Sequence, residues 1–248
     1  MKKIVLIGGS GTVGTRIANG LSDKYEIVVM DTKASPNKNC DFIRVDATNF
    51  QDLQSNLPKD TSCIINLLKT DTDSPIENID VFQQMTRVFF ESTYYILMVA
   101  NQFNIPKVIF ASSNHVTDYY EEEGNSIFNR DINVSDYPSM KGLYGVLKLA
   151  SEQLGFIFSN NAKLSVINIR IGSVPPKVSK KDLKENERLT KTLLTDVDLV
   201  ELFKDAIEST INFGTYYGVS DNPDKPWDTA NATIELGFKS MMNSNDIS

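Results

Sequence analysis

The segment Lys2–Gly14, KKIVLIGGSGTVG, decides the fold of this chain. Its apolar residues 4–7 predict a buried strand, and the glycines that follow predict a tight turn into a helix. Gly8 lets the chain turn sharply off the strand, Gly11 lets a ligand approach the backbone closely, and Gly14 lets the helix pack against the sheet. Because the first N–H groups of a helix attract anions, this unit is expected to bind the pyrophosphate of a dinucleotide.

The composition narrows the class of protein. With 248 residues, of which 41% are apolar, the chain is long enough for one large α/β domain. A net charge of −7 without a basic tract argues against non-specific binding of nucleic acid. The single histidine, His115, excludes a multi-histidine metal site, and Cys40 and Cys63 lack the spacing of metal ligands, so no metal is expected.

The expected location is the cytoplasm. The two cysteines are more consistent with reduced packing residues than with a disulfide, which suits that compartment. No apolar run reaches the length of a transmembrane helix, and the N-terminal run of about five apolar residues is too short for a signal peptide. We therefore expect no membrane partner.

Strand and helix patterns alternate from residue 3 to residue 170. Apolar runs with little alternation predict parallel strands that are covered on both faces. These runs are 4–7, 26–30, 41–45, 63–68, 107–111 and 165–169. With helices between them, they predict a Rossmann-like α/β fold with a doubly wound parallel sheet. Residues 1–172 are expected to bind the dinucleotide, and residues 173–248 to form a small substrate-side lid and extension of the same domain.

An acidic residue, Asp31, ends the second predicted strand, about 20 residues after the glycine turn. At this position a carboxylate can accept hydrogen bonds from both ribose hydroxyls of an adenosine, and it repels a 2′-phosphate. Asp31 therefore favours NAD over NADP as the cofactor, although the nearby cation of Lys33 acts in the opposite direction.

The G-x-x-G-x-x-G spacing of the turn resembles that of the short-chain dehydrogenase/reductase superfamily. In that superfamily an acid and a small residue after the third strand contact the adenine, and Asp46 and Ala47 stand at the matching positions here. The cofactor contacts that the resemblance implies are Gly8, Gly11, Thr12, Val13, Gly14, Asp31, Asp46, Ala47, Leu67, Tyr144 and Lys148.

Tyr144 and Lys148 stand four residues apart on the helix predicted over 140–160, so they share one face of it. A free tyrosine has a pKa of about 10. A neighbouring ammonium favours the phenolate, which would let Tyr144 act as a general base near neutral pH. A serine at the carboxyl end of the fifth strand can hydrogen-bond the reacting oxygen, and the superfamily pattern favours Ser113 over Ser112. We expect Ser113, Tyr144 and Lys148 to be catalytic.

Three segments narrow the resemblance to the uronate dehydrogenase family of extended short-chain dehydrogenases: 112–116 (SSNHV), 142–148 (GLYGVLK) and 170–173 (RIGS). The resemblance covers most of the chain. The substrate contacts that it implies are Ser113, Asn114, His115, Tyr144, Ser173 and Arg188. A guanidinium can bind a carboxylate through two parallel hydrogen bonds, so Arg188 would select a sugar acid.

Two positions depart from the pattern of that family. Leu68–Asp71 follows the fourth strand, where the family has small residues and a serine that touches the substrate, and Phe89 stands where the family has an asparagine. Bulky residues after the fourth strand are expected to crowd the cofactor, and the acid there to repel a uronate, which leaves the substrate open. The triplet Glu121–Glu123 is expected to be only a solvated loop, and residues 71–75 are expected to form a loop as well.

The predicted activity is NAD-dependent oxidation of a small sugar or sugar acid. In a uronate, Tyr144 would remove the proton of the anomeric hydroxyl, the carbon would give hydride to the nicotinamide, and an aldarolactone would leave. One alternative is a sugar-nucleotide epimerase or dehydratase, for which the chain after the last strand is short. Another is a regulatory protein that binds NAD(P) without turnover, although the intact Ser113, Tyr144 and Lys148 favour an enzyme.

A long helix, or two, is predicted over 77–103. Its bulky residues cover more of the helix surface than a single apolar stripe needs. Burial against the flank of the sheet and contact with a second subunit explain this equally well. From the second explanation we expect a homodimer.

Overall fold

A seven-stranded parallel sheet forms the centre of the fold, within residues 1–72 and 75–247, which are those that the computed structural model describes. Of the loop predicted over 71–75, residues 73 and 74 lie outside the described residues. The strands are β1 (Lys3–Ile7), β2 (Glu26–Asp31), β3 (Asp41–Arg44), β4 (Cys63–Asn66), β5 (Lys107–Ser113), the short β6 (Glu121–Glu122) and β7 (Asn125–Ser126), β8 (Ser165–Ile171) and β9 (Phe213–Gly218).

The order of strands in the sheet is β3-β2-β1-β4-β5-β8-β9, and β6 and β7 form a separate antiparallel pair. The order reverses between β1 and β4, and in open α/β sheets such a switch point opens a crevice at the carboxyl ends of the strands. The prediction of a Rossmann-like, doubly wound parallel sheet is therefore confirmed.

Helices cover both faces of the sheet. They are α1 (Thr12–Leu21), α2 (Phe50–Asn56), α3 (Ile79–Met85), α4 (Ser92–Gln102), α5 (Leu143–Asn161), α6 (Lys180–Glu185), α7 (Glu187–Thr192) and α8 (Asp196–Glu208). The helix predicted over 140–160 is α5, which begins and ends slightly later than expected. No helix within the described part of the chain combines the length and the apolar character that crossing a bilayer would require.

The apolar residues of β1 show why the sheet has two covered faces. Ile4 and Leu6 pack with α1 and α8, whereas Val5 and Ile7 pack with α2 and α4 on the other face. All four side chains are at most 1% exposed. Burying such a side chain contributes about 1.5–3 kcal/mol, so the register of β1 is strongly fixed. This register places Gly8, the next residue, at the carboxyl edge of the sheet.

Residues 173–248, expected to form a substrate-side extension, divide into two parts. The part before α8 lies at the carboxyl edge of the sheet, where Ser173 pairs with Leu193 through an isolated parallel bridge. The rest completes the main fold, because β9 pairs with β8 and α8 packs on α1. Phe203 of α8 is fully buried in the same apolar cluster as Ile4.

The chain from α3 to α4 is one continuous helix that changes type in the middle. A π-helical turn, Thr86–Glu91, joins the two α-helical parts. Within it, the carbonyl oxygen of Phe89 accepts hydrogen bonds from Thr93 Oγ1 (2.6 Å) and from Ser151 Oγ of α5 (2.8 Å). π-Helical turns are rare and often occur at functional sites.

The bulky residues predicted over 77–103 divide between the core and the surface. Ile96 and Leu97 are fully buried against the sheet. Phe82 and Tyr94 are 41% and 44% exposed. Burial against the flank of the sheet thus explains a large part of the apolar surface, and the homodimer stays a prediction.

Candidate active site

The glycine turn after β1 leaves no room for a side chain at Gly8, Gly9 or Gly14. Gly8 has φ +74°, a left-handed conformation that favours glycine, and a Cβ there would lie 2.8 Å from the backbone nitrogen of Leu68. At Gly14 a Cβ would clash with the carbonyl oxygen of Gly9, because α1 packs directly on the turn. Gly11 differs, since a Cβ there would meet no atom closer than 3.8 Å.

The start of α1 offers unpaired N–H groups in front of this turn. Gly11 precedes the helix and has no side chain that could accept hydrogen bonds from its first turn. Thr12, Val13 and Gly14 therefore present the N–H groups that a helix leaves without a partner, at the positive end of its dipole. The missing Cβ of Gly11 and these N–H groups form a cradle that fits a pyrophosphate, and hence NAD.

A cavity of about 330 Å³ lies on one side of the turn, at the ends of β1, β2 and β3, and is called the adenosine cavity here. Asp31 at the end of β2 accepts backbone hydrogen bonds from Ser10 (3.1 Å) and Lys33 (3.0 Å), which fix its carboxylate at the cavity wall. Asp46 and Ala47 line the same cavity. The residues expected to contact the adenosine therefore lie together.

A second cavity, of about 400 Å³, extends from the glycine turn to the ends of β5 and β8 and is called the reaction cavity. The predicted site residues that line it are Gly8, Gly11, Thr12, Val13, Gly14, Leu67, Ser113, Asn114, His115, Tyr144, Lys148, Ser173 and Arg188. Gly8 and Gly11 line both cavities, so the two form one groove across the switch point of the sheet.

Ser113 and Tyr144 meet at this groove because β5 ends beside the first turn of α5. Burial raises the pKa of Tyr144, and the neighbouring Ser113 hydroxyl acts in the opposite direction. The hydroxyl of Ser112 instead donates to the buried carboxylate of Glu152. Since Ser112 is engaged by the interior, its position supports the choice of Ser113 as the serine that contacts a substrate.

Lys148 lies one turn further along α5. Its Nζ donates to the carbonyl oxygen of Ala111 (2.8 Å) and lies 4.7 Å from the ring centre of Phe89 and 5.6 Å from that of Tyr144. Burial lowers the pKa of Lys148 to about 8, while Glu152 acts in the opposite direction. At neutral pH the structure therefore places a positive charge beside the Tyr144 phenol.

Phe89 forms the wall behind these two residues. Its ring packs edge to face on that of Tyr144, with 5.2 Å between the ring centres, and it is 3% exposed. Phe89, which stands where the related family has an asparagine, thus gives Tyr144 and Lys148 an apolar support. The bulky residues after β4 do not lie behind the groove as Phe89 does. Leu68 and Lys69 line both of its cavities.

Three predicted substrate contacts, Asn114, His115 and Ser173, form a polar wall of the reaction cavity. Asn114 is buried. His115 Nδ1 lies 2.8 Å from the carboxylate of Asp118, which orients the exposed ring and leaves Nε2 for a ligand. The Ser173 hydroxyl lies 2.8 Å from that of Thr192 in α7.

Arg188 is paired with a carboxylate of the chain itself. Its Nε and Nη2 bind both oxygens of Glu121 at 2.7–3.1 Å, and Glu121 also accepts from the Gly124 N–H. The prediction of a solvated loop is wrong for Glu121, whose side chain is 4% exposed, because the β6–β7 hairpin packs on α7 and turns this carboxylate inward. Arg188 lines the reaction cavity, but the two donors expected for a substrate carboxylate are engaged.

Sequence reasoning missed Glu121 and Asp118, which pair with residues that line the reaction cavity. Asp118 follows His115 by three residues, a spacing that could have suggested the pair. Glu121 and Arg188 are 67 residues apart, and no local pattern connects them. Among the described residues, no group of three or more His, Cys, Asp or Glu side chains is arranged to hold a metal ion.

A groove across the switch point, with a phosphate cradle on one side and Ser113, Tyr144 and Lys148 on the other, defines the class of dinucleotide-binding α/β enzymes. The chain belongs to the NAD dependent epimerase/dehydratase family, whose model matches residues 4–178. Membership in this family confirms the prediction of an NAD-dependent enzyme.

Three relatives show how the chain stands within this family. It is 47% identical to the uncharacterized protein YtbQ of Bacillus subtilis, over 100% of this chain and 97% of the relative. It is 28% identical to the NAD-dependent glucose-6-phosphate dehydrogenase of Haloferax volcanii, over 97% and 94%. Its fold is similar to that of a mutant uronate dehydrogenase from Agrobacterium tumefaciens complexed with NAD, with a TM-score of 0.83 and 21% identity over 99% and 86% of the two chains.

Proposed function

We propose that this protein oxidises the anomeric hydroxyl of a monosaccharide with NAD and releases a lactone, with a uronate as the favoured substrate and an aldarolactone as its product. The observation that supports this most strongly is the convergence of Ser113, Tyr144 and Lys148 on one cavity that continues into the phosphate cradle. A binding protein without turnover has no need of this set.

In the proposed reaction Tyr144 takes the proton of the anomeric hydroxyl, and Ser113 holds its oxygen by a hydrogen bond. As the O–H bond breaks, its electron pair forms the C=O bond at C1, and the hydrogen on C1 leaves as hydride with both electrons of the C1–H bond. NAD, when bound, supplies the acceptor for that hydride. A positioned general base of this kind contributes about 10²–10⁴-fold to the rate.

Lys148 makes Tyr144 a better base in this proposal. A cation beside a phenol favours the phenolate, and the Nζ of Lys148 lies 5.6 Å from the ring centre of Tyr144. The hydrogen bond to Ala111 and the Phe89 ring fix the ammonium at this place. Burial raises the pKa of Tyr144 and the Ser113 hydroxyl acts against it; in this proposal the nearby ammonium adds to the effect of Ser113.

The dimensions and lining of the reaction cavity favour a small substrate. A volume of about 400 Å³ also has to contain the nicotinamide end of the cofactor, which leaves room for a monosaccharide rather than a sugar nucleotide. Asn114, His115 and Ser173 supply polar atoms for sugar hydroxyls. Glu121 engages Nε and Nη2 of Arg188, and Nη1 has no partner among the described residues. This Nη1 group could bind the carboxylate of a sugar acid.

A neutral or phosphorylated aldose is the second candidate substrate. Glu121 neutralises Arg188 and occupies two of its donors, which reduces the advantage of a substrate carboxylate. One relative is named as a dehydrogenase of glucose 6-phosphate. Both candidates undergo the same chemistry at C1, so the identity of the substrate depends on the far wall of the reaction cavity, which consists of Asn114, His115, Ser173 and Arg188.

The experiment that tests the proposed function is an NADH-fluorescence screen with galacturonate, glucuronate, neutral aldoses, glucose 6-phosphate and UDP-sugars. We expect NADH formation with uronates, and formation with neutral or phosphorylated aldoses alone would select the second candidate. NADH formation with UDP-sugars alone would contradict the proposal. So would NADH binding without turnover of any sugar.

We also propose that the protein is a cytoplasmic homodimer. The exposed Phe82 and Tyr94 on the α3–α4 helix, together with Phe156 and Ile157 on α5, support an apolar contact between two copies. Free Cys40 and Cys63 are consistent with a reducing compartment. Light scattering at micromolar concentration should give twice the mass of 27.7 kDa, and a monomer would contradict the dimer.

A further inference from the structure

Lys69, in the loop after β4, lies over the glycine turn. Its Cε is 3.8 Å from the position that a Cβ of Gly11 would occupy. Lys69 also lines both the adenosine cavity and the reaction cavity. A dinucleotide that fills both cavities must cross from one to the other at this place, and the part of it that crosses is the pyrophosphate.

The backbone on either side of Lys69 is fixed. The N–H of Leu68 donates to Asn66 Oδ1 (3.1 Å), and the backbone of Leu68 packs so closely on Gly8 that a Cβ could not fit between them. On the other side, Thr70 Oγ1 accepts a hydrogen bond from Gln84 of α3 (2.6 Å). Only the side chain of Lys69 therefore needs to rotate for its ammonium to reach a ligand in the groove.

The ammonium of Lys69 is available for an anion. Its side chain is exposed, and it makes no hydrogen bond or ion pair with any residue that the structure describes. Two other cations of the groove are already engaged, since Lys148 donates to a carbonyl oxygen of β5 and Arg188 pairs with a buried carboxylate. Lys33 lines the adenosine cavity but not the reaction cavity.

We propose that the ammonium of Lys69 binds the pyrophosphate of the cofactor, opposite the N–H groups at the start of α1. The phosphates would then lie between the partial positive charge of a helix end and a full positive charge. This inference rests on the proposed function, in which NAD occupies both cavities. It gives a function to a bulky residue that, from the sequence alone, only crowds the site.

The test compares two ligands by titration calorimetry, ADP-ribose and adenosine. ADP-ribose carries the pyrophosphate but no nicotinamide, so the measurement does not depend on turnover. We expect Lys69→Met to weaken ADP-ribose binding about tenfold and to reduce its dependence on salt, because a charged hydrogen bond is lost. Adenosine binding should stay unchanged, and Lys69→Arg should keep most of the affinity for ADP-ribose.

Lys33→Met is the matched control, because it removes the same charge from the adenosine cavity. It should change the affinities for adenosine and ADP-ribose by the same factor. The proposal is overturned if Lys69→Met binds ADP-ribose within about twofold of the wild-type protein, or if Lys33→Met shows the same selective loss. A wild-type protein that binds neither ADP-ribose nor NADH would overturn the proposed function together with it.

Discussion

The two cavities of the groove depend on different kinds of chemical group. The adenosine cavity and its cradle depend on glycines, on helix N–H groups and on one carboxylate fixed by backbone bonds. The far wall of the reaction cavity depends on side-chain pairs, His115 with Asp118 and Arg188 with Glu121. Substitutions are poorly tolerated in a cradle made of backbone groups, whereas paired side chains can be replaced by other pairs. The structure therefore determines the cofactor more firmly than the substrate.

The largest effect is expected in the reaction cavity, at Tyr144. Tyr144→Phe removes the proposed base but keeps the ring that packs on Phe89, so the fold should be unchanged. We expect turnover to fall about 10²–10⁴-fold with NADH affinity preserved. Steady-state kinetics and calorimetry measure the two quantities. Undiminished turnover would contradict the mechanism, and Tyr119→Phe, a change at an exposed tyrosine, is the control.

The cradle can be tested by a pair of glycine substitutions. Gly11→Ala adds a methyl group that meets no protein atom closer than 3.8 Å, so it should leave the melting temperature unchanged and weaken NADH binding about tenfold or more. Gly14→Ala forces a methyl group against the backbone of the turn and should destabilise the fold by about 1–3 kcal/mol. Thermal unfolding and NADH titration separate the two outcomes, and equal melting temperatures would contradict this account of the turn.

The far wall of the reaction cavity should respond to Glu121→Gln. This change keeps the shape of the side chain but removes the charge that neutralises Arg188, so a uronate gains a cationic partner. We expect KM for uronates to fall about fivefold, with little change for neutral aldoses. Glu122→Gln, at the exposed neighbour, should change neither. A parallel change of KM for both sugar classes would show that Glu121 does not act through charge.

A further effect, on folding rather than on the reaction, concerns the pH dependence of stability. The pKa of Lys148 is about 8 in the folded chain, against 10.5 for an ordinary lysine. Between these values the unfolded chain holds a proton that the folded chain has released, so this residue raises the free energy of unfolding as pH increases. Urea unfolding at several pH values should show the wild-type protein gaining stability relative to Lys148→Met across this window. A difference that does not vary with pH would contradict the lowered pKa, and exposed Lys184→Met is the control.

Features that are local in sequence could be predicted. The register of β1, the glycine turn and Asp31 lie within one strand–turn–helix–strand unit, and their geometry follows from backbone rules. Tyr144 and Lys148 are also local, since one helical turn brings them together. The position of Ser113 follows from the end of β5.

Features that depend on contacts between distant segments could not be predicted. The triplet 121–123 reads as polar surface, and only the packing of a short hairpin on α7 turns Glu121 towards Arg188. The position of Lys69 over the glycine turn depends on the loop after β4 lying against Gly8. The π-helical turn around Phe89 is invisible in the apolar pattern, because 77–103 is bulky on most sides.

This π-helical turn has a consequence for how the family varies. A π turn contains one residue more than the α-helix that it interrupts. Deleting one residue within 86–91 would restore a regular helix, but would rotate everything on one side of the deletion by about 100° relative to the other. The Phe89 ring would then lose its place behind Tyr144 and Lys148. The length of this helix thus sets which side chain stands behind Tyr144 and Lys148. Relatives that differ by one residue in this helix should place a different side chain there.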